Sequence, residues 1–261
     1  MKEYEFLATL DMKTSAICRS MDGKHFPIDE AMPGVNYPPM HPRCRSTTIT
    51  YRENKDGKTR TARSEDGKSY DVPLDMNYEE WHKTYVENDP EYLAKEKAWK
   101  NRHGDRKQYE NYIEAIGKKN VPSSFDSFQK LKYNNTKEWE QLKHYKRSIK
   151  SGELTSFADF KLYKDVSKEI DEKLIGLKTS DGVVINKKSK HFINRVIGSV
   201  EQKRNGVDIE HAIRILSTPD DIKRLKHSTR YSIMGVGSVS VNPKTGKLIQ
   251  VNPLGGRKKN D

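Results

Sequence analysis

Two stretches near the end of the chain decide the fold. They are His191-Phe192-Ile193-Asn194-Arg195-Val196-Ile197-Gly198-Ser199-Val200, and the run from Tyr231 to Val251 that contains Asn242-Pro243-Lys244-Thr245-Gly246-Lys247. In the first, Phe192, Ile193, Val196, Ile197 and Val200 recur at helical steps, while His191, Arg195 and Ser199 fall at i, i+4 on a separate face. A helix is therefore expected from His191 to Arg204, ended by Asn205-Gly206. In the second, strand candidates over 231–241 and 248–251 flank a turn with Pro early and Gly late. Asp208 can cap a short helix from Ile209 to Leu216, stopped before Pro219, and Val183-Val184-Ile185 suggests a short strand. Helices followed by a meander give an α+β class, with C-terminal helices packed on an antiparallel sheet of about four strands.

This part of the chain is also the basic part. Residues 174–261 hold 17 Lys and Arg against 7 Asp and Glu, whereas the preceding 173 residues hold 32 against 30. Concentrated positive charge attracts polyanions through counterion release and steering, so nucleic acid is the first partner to consider. Upstream, Tyr78 to Gly176 reads as helical and rich in Glu and Lys, anchored by aromatics such as Trp81, Tyr112, Phe128 and Trp139. Breaks fall near Asp89-Pro90, His103-Gly104, Val121-Pro122 and Ser151-Gly152. Its best helix, 157–174, places Phe160, Tyr163, Val166, Ile170 and Leu174 on one face that would dock on the last domain. Residues 53–77, polar around Asp56-Gly57 and Asp66-Gly67, read as a flexible linker or hairpin. Residues 1–52 are turn-rich, with Asp22-Gly23, Pro33-Gly34 and Pro38-Pro39 ahead of a closing strand at 46–51. The expected order is a 1–52 unit, a 53–77 linker, a 78–173 helical connector and a 174–261 basic domain.

Hydrophobic and charged residues each make up 33% of the 261, and mean hydropathy is −0.97, so compact ends with a looser middle are expected. No run approaches the roughly 20 apolar residues needed to span a bilayer, and Met1-Lys2-Glu3-Tyr4-Glu5 lacks an apolar signal region. A soluble protein made in the cytoplasm, with no membrane partner, is expected. Cys18 and Cys44 are too few for a disulfide scaffold, which suits a reducing compartment.

Two constellations carry candidate chemistry. Cys18, His41 and Cys44 are metal-ligand types, with Asp11, Asp22 or His25 able to supply a fourth; a zinc site, a Cys18–Cys44 disulfide and simple packing all fit, because paired C-x-x-C spacing is absent. The second comprises His191, Arg195, His211 and Arg230 with the hydroxyls of Ser228, Thr229, Ser238 and Thr245. Metal-free RNA cleavage needs a base for the 2′-hydroxyl, an acid for the leaving 5′-oxygen, and cations for the phosphorane. Histidine suits both transfers and arginine clamps phosphate. Each residue also has a bland reading: His191 capping a helix, His211 packed on an apolar face, solvated arginines. A metal nuclease is disfavoured, because the segment's acids form no compact cluster in sequence.

The run Asp11-Met12-Lys13-Thr14-Ser15-Ala16-Ile17-Cys18-Arg19-Ser20-Met21-Asp22-Gly23-Lys24-His25-Phe26, with Pro33-Gly34, Pro38-Pro39 and His41-Pro42-Arg43-Cys44-Arg45-Ser46-Thr47-Thr48, resembles the end of the phage Mu F-type minor head protein domain over about 50 residues. The family's longer helical portion would precede it, so a truncated or split version is expected. The end of the chain, from His191-Phe192-Ile193-Asn194-Arg195 through Ser228-Thr229-Arg230-Tyr231 to Asn252-Pro253, is similar to phage-associated nuclease domains of the barnase, EndoU, colicin and RelE-like superfamily. That resemblance implies helices on a four-stranded antiparallel sheet and a metal-independent ribonuclease without a cofactor. By motif position it puts His191, Arg195 and Arg230 in the catalytic site, and Thr245 in the final turn with Asn242, Pro243 and Gly246; His211 lies outside the common pattern and is the candidate second proton-transfer partner from the residues alone. Lys190, Arg204, Lys226, Ser228, Ser238, Asn242, Lys244 and Lys247 are the expected nucleic-acid contacts. Implied partners are RNA, phage portal and capsid proteins and an immunity protein; implied locations are the phage head interior and the bacterial host cytoplasm. The rival is a structural virion protein whose basic domain binds DNA or portal partners without chemistry; an adaptor built on a degenerate nuclease fold is a third reading.

Overall fold

Residues 2–253 are described by the structure, a computed structural model whose two units divide between Arg106 and Lys107. In the first unit, β1 (Glu3–Leu7) is the centre of a three-stranded antiparallel sheet. Helix α1 (Ala16–Met21) follows it, started by Ser15, whose hydroxyl accepts the Cys18 N–H and satisfies a donor that the first turn leaves free. Strands β2 (His25–Pro27) and β3 (Thr47–Thr50) pair on either side of β1.

The stretch 53–77 takes the hairpin form of the two expected. It holds a hairpin of β4 (Thr59–Arg63) and β5 (Ser69–Pro73), in which alternation turns Arg60 and Ala62 inward. Ala62 and Val72 enter a core with Leu10, with Tyr78 and Trp81 of α2 (Tyr78–Trp81), and with Val86 and Tyr92, the last on α3 (Pro90–Ile116). Arg60 is buried. It donates to both oxygens of Asp22 at 2.9 and 3.0 Å, to the Met76 carbonyl at 3.2 Å and to the Ala8 carbonyl. The polar composition of 53–77 hid this, because one buried arginine and two small apolar side chains do the anchoring.

The second unit begins inside α3. Tyr112 stacks on Trp139 of α5 (Thr136–Lys150) at 5.6 Å, and Phe128 of α4 (Phe125–Asn134) meets both rings edge-on at 5.5 and 5.3 Å. The next helix is α6 (Phe160–Leu174). It starts three residues later than its apolar spacing suggests, because Asp159 caps it by accepting the Leu162 N–H at 2.8 Å, and Phe157 is left 80% exposed. Its Phe160, Tyr163, Ile170 and Leu174 are buried, and it packs on helices α7 and α8 described below.

After α6, residues 183–185 form no named strand, although Ile185 is fully buried; β6 (Lys187–Lys188) comes two residues later. Helix α7 (Lys190–Ile197) stops well short of Arg204. Gly198 ends it at φ +97°, where a Cβ would lie 2.6 Å from the Gly206 nitrogen, and a small ribbon of β7 (Gly198–Ser199) and β8 (Arg204–Asn205) replaces the expected turns. Helix α8 (Ile209–Ser217) is capped by Asp208 as expected. The 231–241 run is two strands rather than one: β9 (Asp221–Arg224) and β10 (Thr229–Ile233) precede a turn at Gly235, and β11 (Gly237–Asn242) and β12 (Lys247–Pro253) follow. Their order is β6-β12-β11-β10-β9, four antiparallel strands with β6 added in parallel at the edge. The fold is α+β.

One apolar core runs from Tyr109 through α4, α5 and α6 to Val251 on β12. The helices from 107 to 173 therefore belong to the same unit as the basic segment, instead of forming a connector to a domain that starts at 174. A fragment of residues 174–261 loses Trp139, Tyr145, Phe160 and Tyr163 from its core and should show no cooperative melt by circular dichroism, whereas 107–261 should melt cooperatively. Arg60→Ala strands the buried Asp22 carboxylate and should destabilise the first unit by about 3–5 kcal/mol in urea titration; a change under about 1 kcal/mol would contradict the role given to this pair.

Candidate nucleic-acid interface

Along β10 burial alternates, with Thr229, Tyr231 and Ile233 buried and Arg230 and Ser232 on the opposite face. The register sets Arg230 between Lys223 and Ser240, and Ser240 beside Gln250. A second row runs Ser232, Ser238, Asn252. Directly paired residues project from the same side of a sheet, so these side chains share the face opposite the helices. Ser240 is buried there, and the Arg230 Nε is buried without a hydrogen-bond partner among the described residues.

Helix α7 brings histidine to the rim of this face. Ser189 caps the helix by accepting the Phe192 N–H at 3.0 Å, and donates to the Ile249 carbonyl of β12 at 2.5 Å. Four residues apart, Arg195 Nε donates to His191 Nε2 at 3.1 Å, while Arg195 Nη1 donates to Asn252 Oδ1 at 3.3 Å. The i, i+4 spacing thus links His191, through Arg195, to Asn252 at one end of the Ser232–Ser238–Asn252 row. Because Nε2 accepts, the neutral ring carries its proton on Nδ1. Burial first, and then the Arg195 charge, hold His191 below its ordinary value of 6.5, which leaves a neutral imidazole near pH 7.

Two neighbours, Glu153 and His144, went unseen in the sequence, and Arg204, an expected contact, has partners there that the sequence did not show. Arg204 donates to the Glu153 carbonyl at 2.6 Å, its Nε and Nη1 are buried without a partner among the described residues, and burial and the Arg195 charge press against its positive form. Glu153 accepts from the Asn194 amide at 3.2 Å and is the carboxylate whose charge acts on both His191 and Arg204. His144 of α5 meets the Tyr163 hydroxyl at 3.0 Å and the Ser148 hydroxyl at 3.3 Å through Nδ1. Burial, then the Lys190 and Arg147 charges, pull it down to about 4, with His191 also contributing. The Ser151-Gly152 signal marked only a helix break, although that loop supplies Glu153. Sequence reasoning had placed Arg204 among the contacts without these partners.

Other expected site residues lie elsewhere. Thr245 and Lys244 are exposed in the β11–β12 turn with Asn242 and Lys247 at its ends; Lys247 and Asn252 are five residues apart, about 17 Å of strand. Lys226 and Ser228 occupy the β9–β10 turn at that same end, since Thr229 pairs with Val241. His211 is exposed on α8, and among the described residues no hydrogen bond or ion pair joins it to His191. Lys190 is exposed and reaches Glu140 at 3.7 Å. Ser199, expected on the helix face, is buried in β7 and donates to the Gly152 carbonyl at 2.7 Å. In the first unit, Cys18, His41 and Cys44 come together. Burial pushes the Cys44 thiol up, but hydrogen bonds at the Met40 and Ser46 backbone and at the Ser46 and Cys18 side chains outweigh it and bring it to about 7.

The family model described as Phage Mu protein F like protein matches residues 1–49. Over those residues the chain is similar to that family. The match ends before the β4–β5 hairpin that completes its core. No curated protein and no solved structure matches the chain. Among the described residues no helix is long and apolar enough to cross a membrane.

His144 makes stability pH-dependent. Its folded-state value lies below the 6.5 of the unfolded chain, so the unfolded state binds the proton first, and stability present above pH 6.5 is lost as pH falls towards about 4. The urea midpoint of the second unit should fall between pH 7 and pH 5, and fall less in His144→Gln; an identical fall in both proteins would remove His144 from this account.

Proposed function

We propose that the second unit is a metal-independent ribonuclease joined to the Mu F-like head-protein part, and that RNA lies across the sheet face between His191–Arg195 and Arg230. One observation supports this reading above the rest: a neutral histidine, acceptor nitrogen held by an arginine, stands at the rim of a face where a second arginine keeps a buried N–H unpaired. Strands β12 and β10 are two ladder spacings apart, about 10 Å, which leaves room for one phosphodiester and its flanking sugars.

In this reading Arg195 turns from His191 to the phosphate, and the freed Nε2 of His191 accepts the 2′-hydroxyl proton as the 2′-oxygen bonds to phosphorus. The bond to the 5′-oxygen breaks, that oxygen takes a proton from solvent, and a 2′,3′-cyclic phosphate is left. Arg195 and Arg230 neutralise the phosphorane, and Ser238 or Ser240 donates to its oxygens. Thr245 and His211, expected in this role, are too far along the strand or too separate to serve it; the lysines of the two turns would instead track the backbone of a longer RNA. Within this proposal the host RNA is the substrate, an immunity protein would cover the basic face, and portal or capsid proteins would hold the Mu F-like part.

The test is incubation of the full chain with bacterial RNA in EDTA, with the cleavage ends mapped. Cyclic phosphate ends are expected. His191→Ala should lower kcat/KM by about 10²–10⁴-fold with the melt unchanged, and Arg230→Ala by about 10²-fold. The wild-type kcat/KM should drop on the acid side with a midpoint below 6.5, since protonation removes the base. Intact RNA with folded protein, or salt-sensitive duplex binding without cleavage, would replace this reading with the structural one.

A further inference from the structure

The first unit holds a second group of reactive side chains that plays no part in the RNA reading. Cys18 on α1 lies 3.3 Å from His41 Nε2 and 3.7 Å, sulfur to sulfur, from Cys44. The three donor atoms all fall within 4.8 Å of one another, and both thiols are free. A tetrahedral zinc ion with bonds of about 2.3 Å to sulfur and about 2.0–2.1 Å to nitrogen sets its ligand atoms roughly 3.8 Å apart for two sulfurs and roughly 3.6 Å apart for sulfur and nitrogen. The two separations from the Cys18 sulfur are within a few tenths of an ångström of these values.

The histidine is oriented for this. Its Nδ1 donates to the Pro42 carbonyl at 2.9 Å, which fixes the tautomer and turns the Nε2 lone pair towards the sulfurs, as outer partners of metal-bound histidines do. A fourth donor is also present. Ser15 Oγ lies 2.8 Å from the same Nε2. The side chains that sequence offered for this position are engaged elsewhere: Asp11 with Arg45, Asp22 with Arg60, and His25 with Glu3 and the Tyr51 ring.

We propose that Cys18, Cys44 and His41 bind one zinc ion, with Ser15 Oγ or a water in the fourth position, and that the ion fastens α1 to the 41–44 loop. The Ser15 hydroxyl also caps α1, but packing alone gives no reason for an imidazole lone pair and two thiols to converge on one point. The Mu F-like segment has little apolar core of its own here, essentially Phe6, Ala8, Cys18 and Met40. A metal tie suits so small a core.

The test uses the tag-free full chain, stripped of metal and titrated with Zn²⁺ and with Co²⁺. One equivalent should bind, and the Co²⁺ form should show tetrahedral visible bands with near-ultraviolet charge transfer from two thiolates. Cys44→Ser and His41→Asn should each weaken binding by more than the about 10–100-fold typical of outer-shell changes, and Ser15→Cys should tighten it and add a third thiolate band. Zn²⁺ should also protect both wild-type thiols from alkylation together, a readout that does not depend on any variant folding. Absence of thiolate charge transfer, affinity unchanged in Cys44→Ser, or alkylation of the wild-type thiols unaffected by saturating Zn²⁺ would overturn the proposal.

Discussion

The burial of one face of α6 underlies everything proposed for the second unit. Phe160, Tyr163, Ile170 and Leu174 sit between the aromatic cluster of α3–α5 and the helices that cover the sheet. At about 1.5–3 kcal/mol for each large apolar side chain removed from water, four such residues are comparable with the whole stability of an ordinary domain. The same helix sets polar geometry. Its Tyr163 hydroxyl holds His144, its Ser167 carbonyl accepts from Lys188 at 2.6 Å, and Asn194 on α7 reaches back to Ser148 of α5 at 2.8 Å. His191 therefore stands where it does because two helical layers share one core.

Electrostatics on the sheet side oppose stability. The Arg195 charge opposes that of Arg204 and bears on His191, and the Glu153 carboxylate offsets part of this at both His191 and Arg204. Buried N–H groups without partners, on Arg204 and Arg230, each cost about 1–3 kcal/mol relative to a satisfied donor. A surface that needed only to stay folded would gain by replacing them. An anion bound at the sheet face would relieve the penalty at Arg230, and its affinity would fall steeply with salt.

Much of this was legible in the sequence, and the misses have physical causes. The apolar periodicity of α6, the helix-then-meander order and the i, i+4 pairing of His191 with Arg195 are local signals, and the structure contains each. The boundary at 107 rather than 174 is not local, because aromatics at 109, 112, 128 and 139 join the C-terminal core only in three dimensions. The early end of α7 turns on Gly198 and on how closely Gly206 approaches the helix end, which a hydrophobic pattern that continues to Val200 conceals. Thr245 matched a motif position, yet strand length carries it away from His191. The convergence of Cys18, His41 and Cys44 could not be told from spacing, since residues 23 and 26 apart meet only because the loop returns to α1.

The central claim is that the phosphate-binding face lies between His191–Arg195 and Arg230. It is tested most directly by following side-chain resonances of the full chain during titration with a 2′-deoxy oligonucleotide, which cannot be cleaved by attack of a 2′-oxygen. The account predicts saturable shifts at the His191 ring and at the Arg195 and Arg230 guanidinium groups, with the exposed His211 ring unmoved. Shifts at His211 or at the turn lysines, with His191 and Arg230 unchanged, would contradict it.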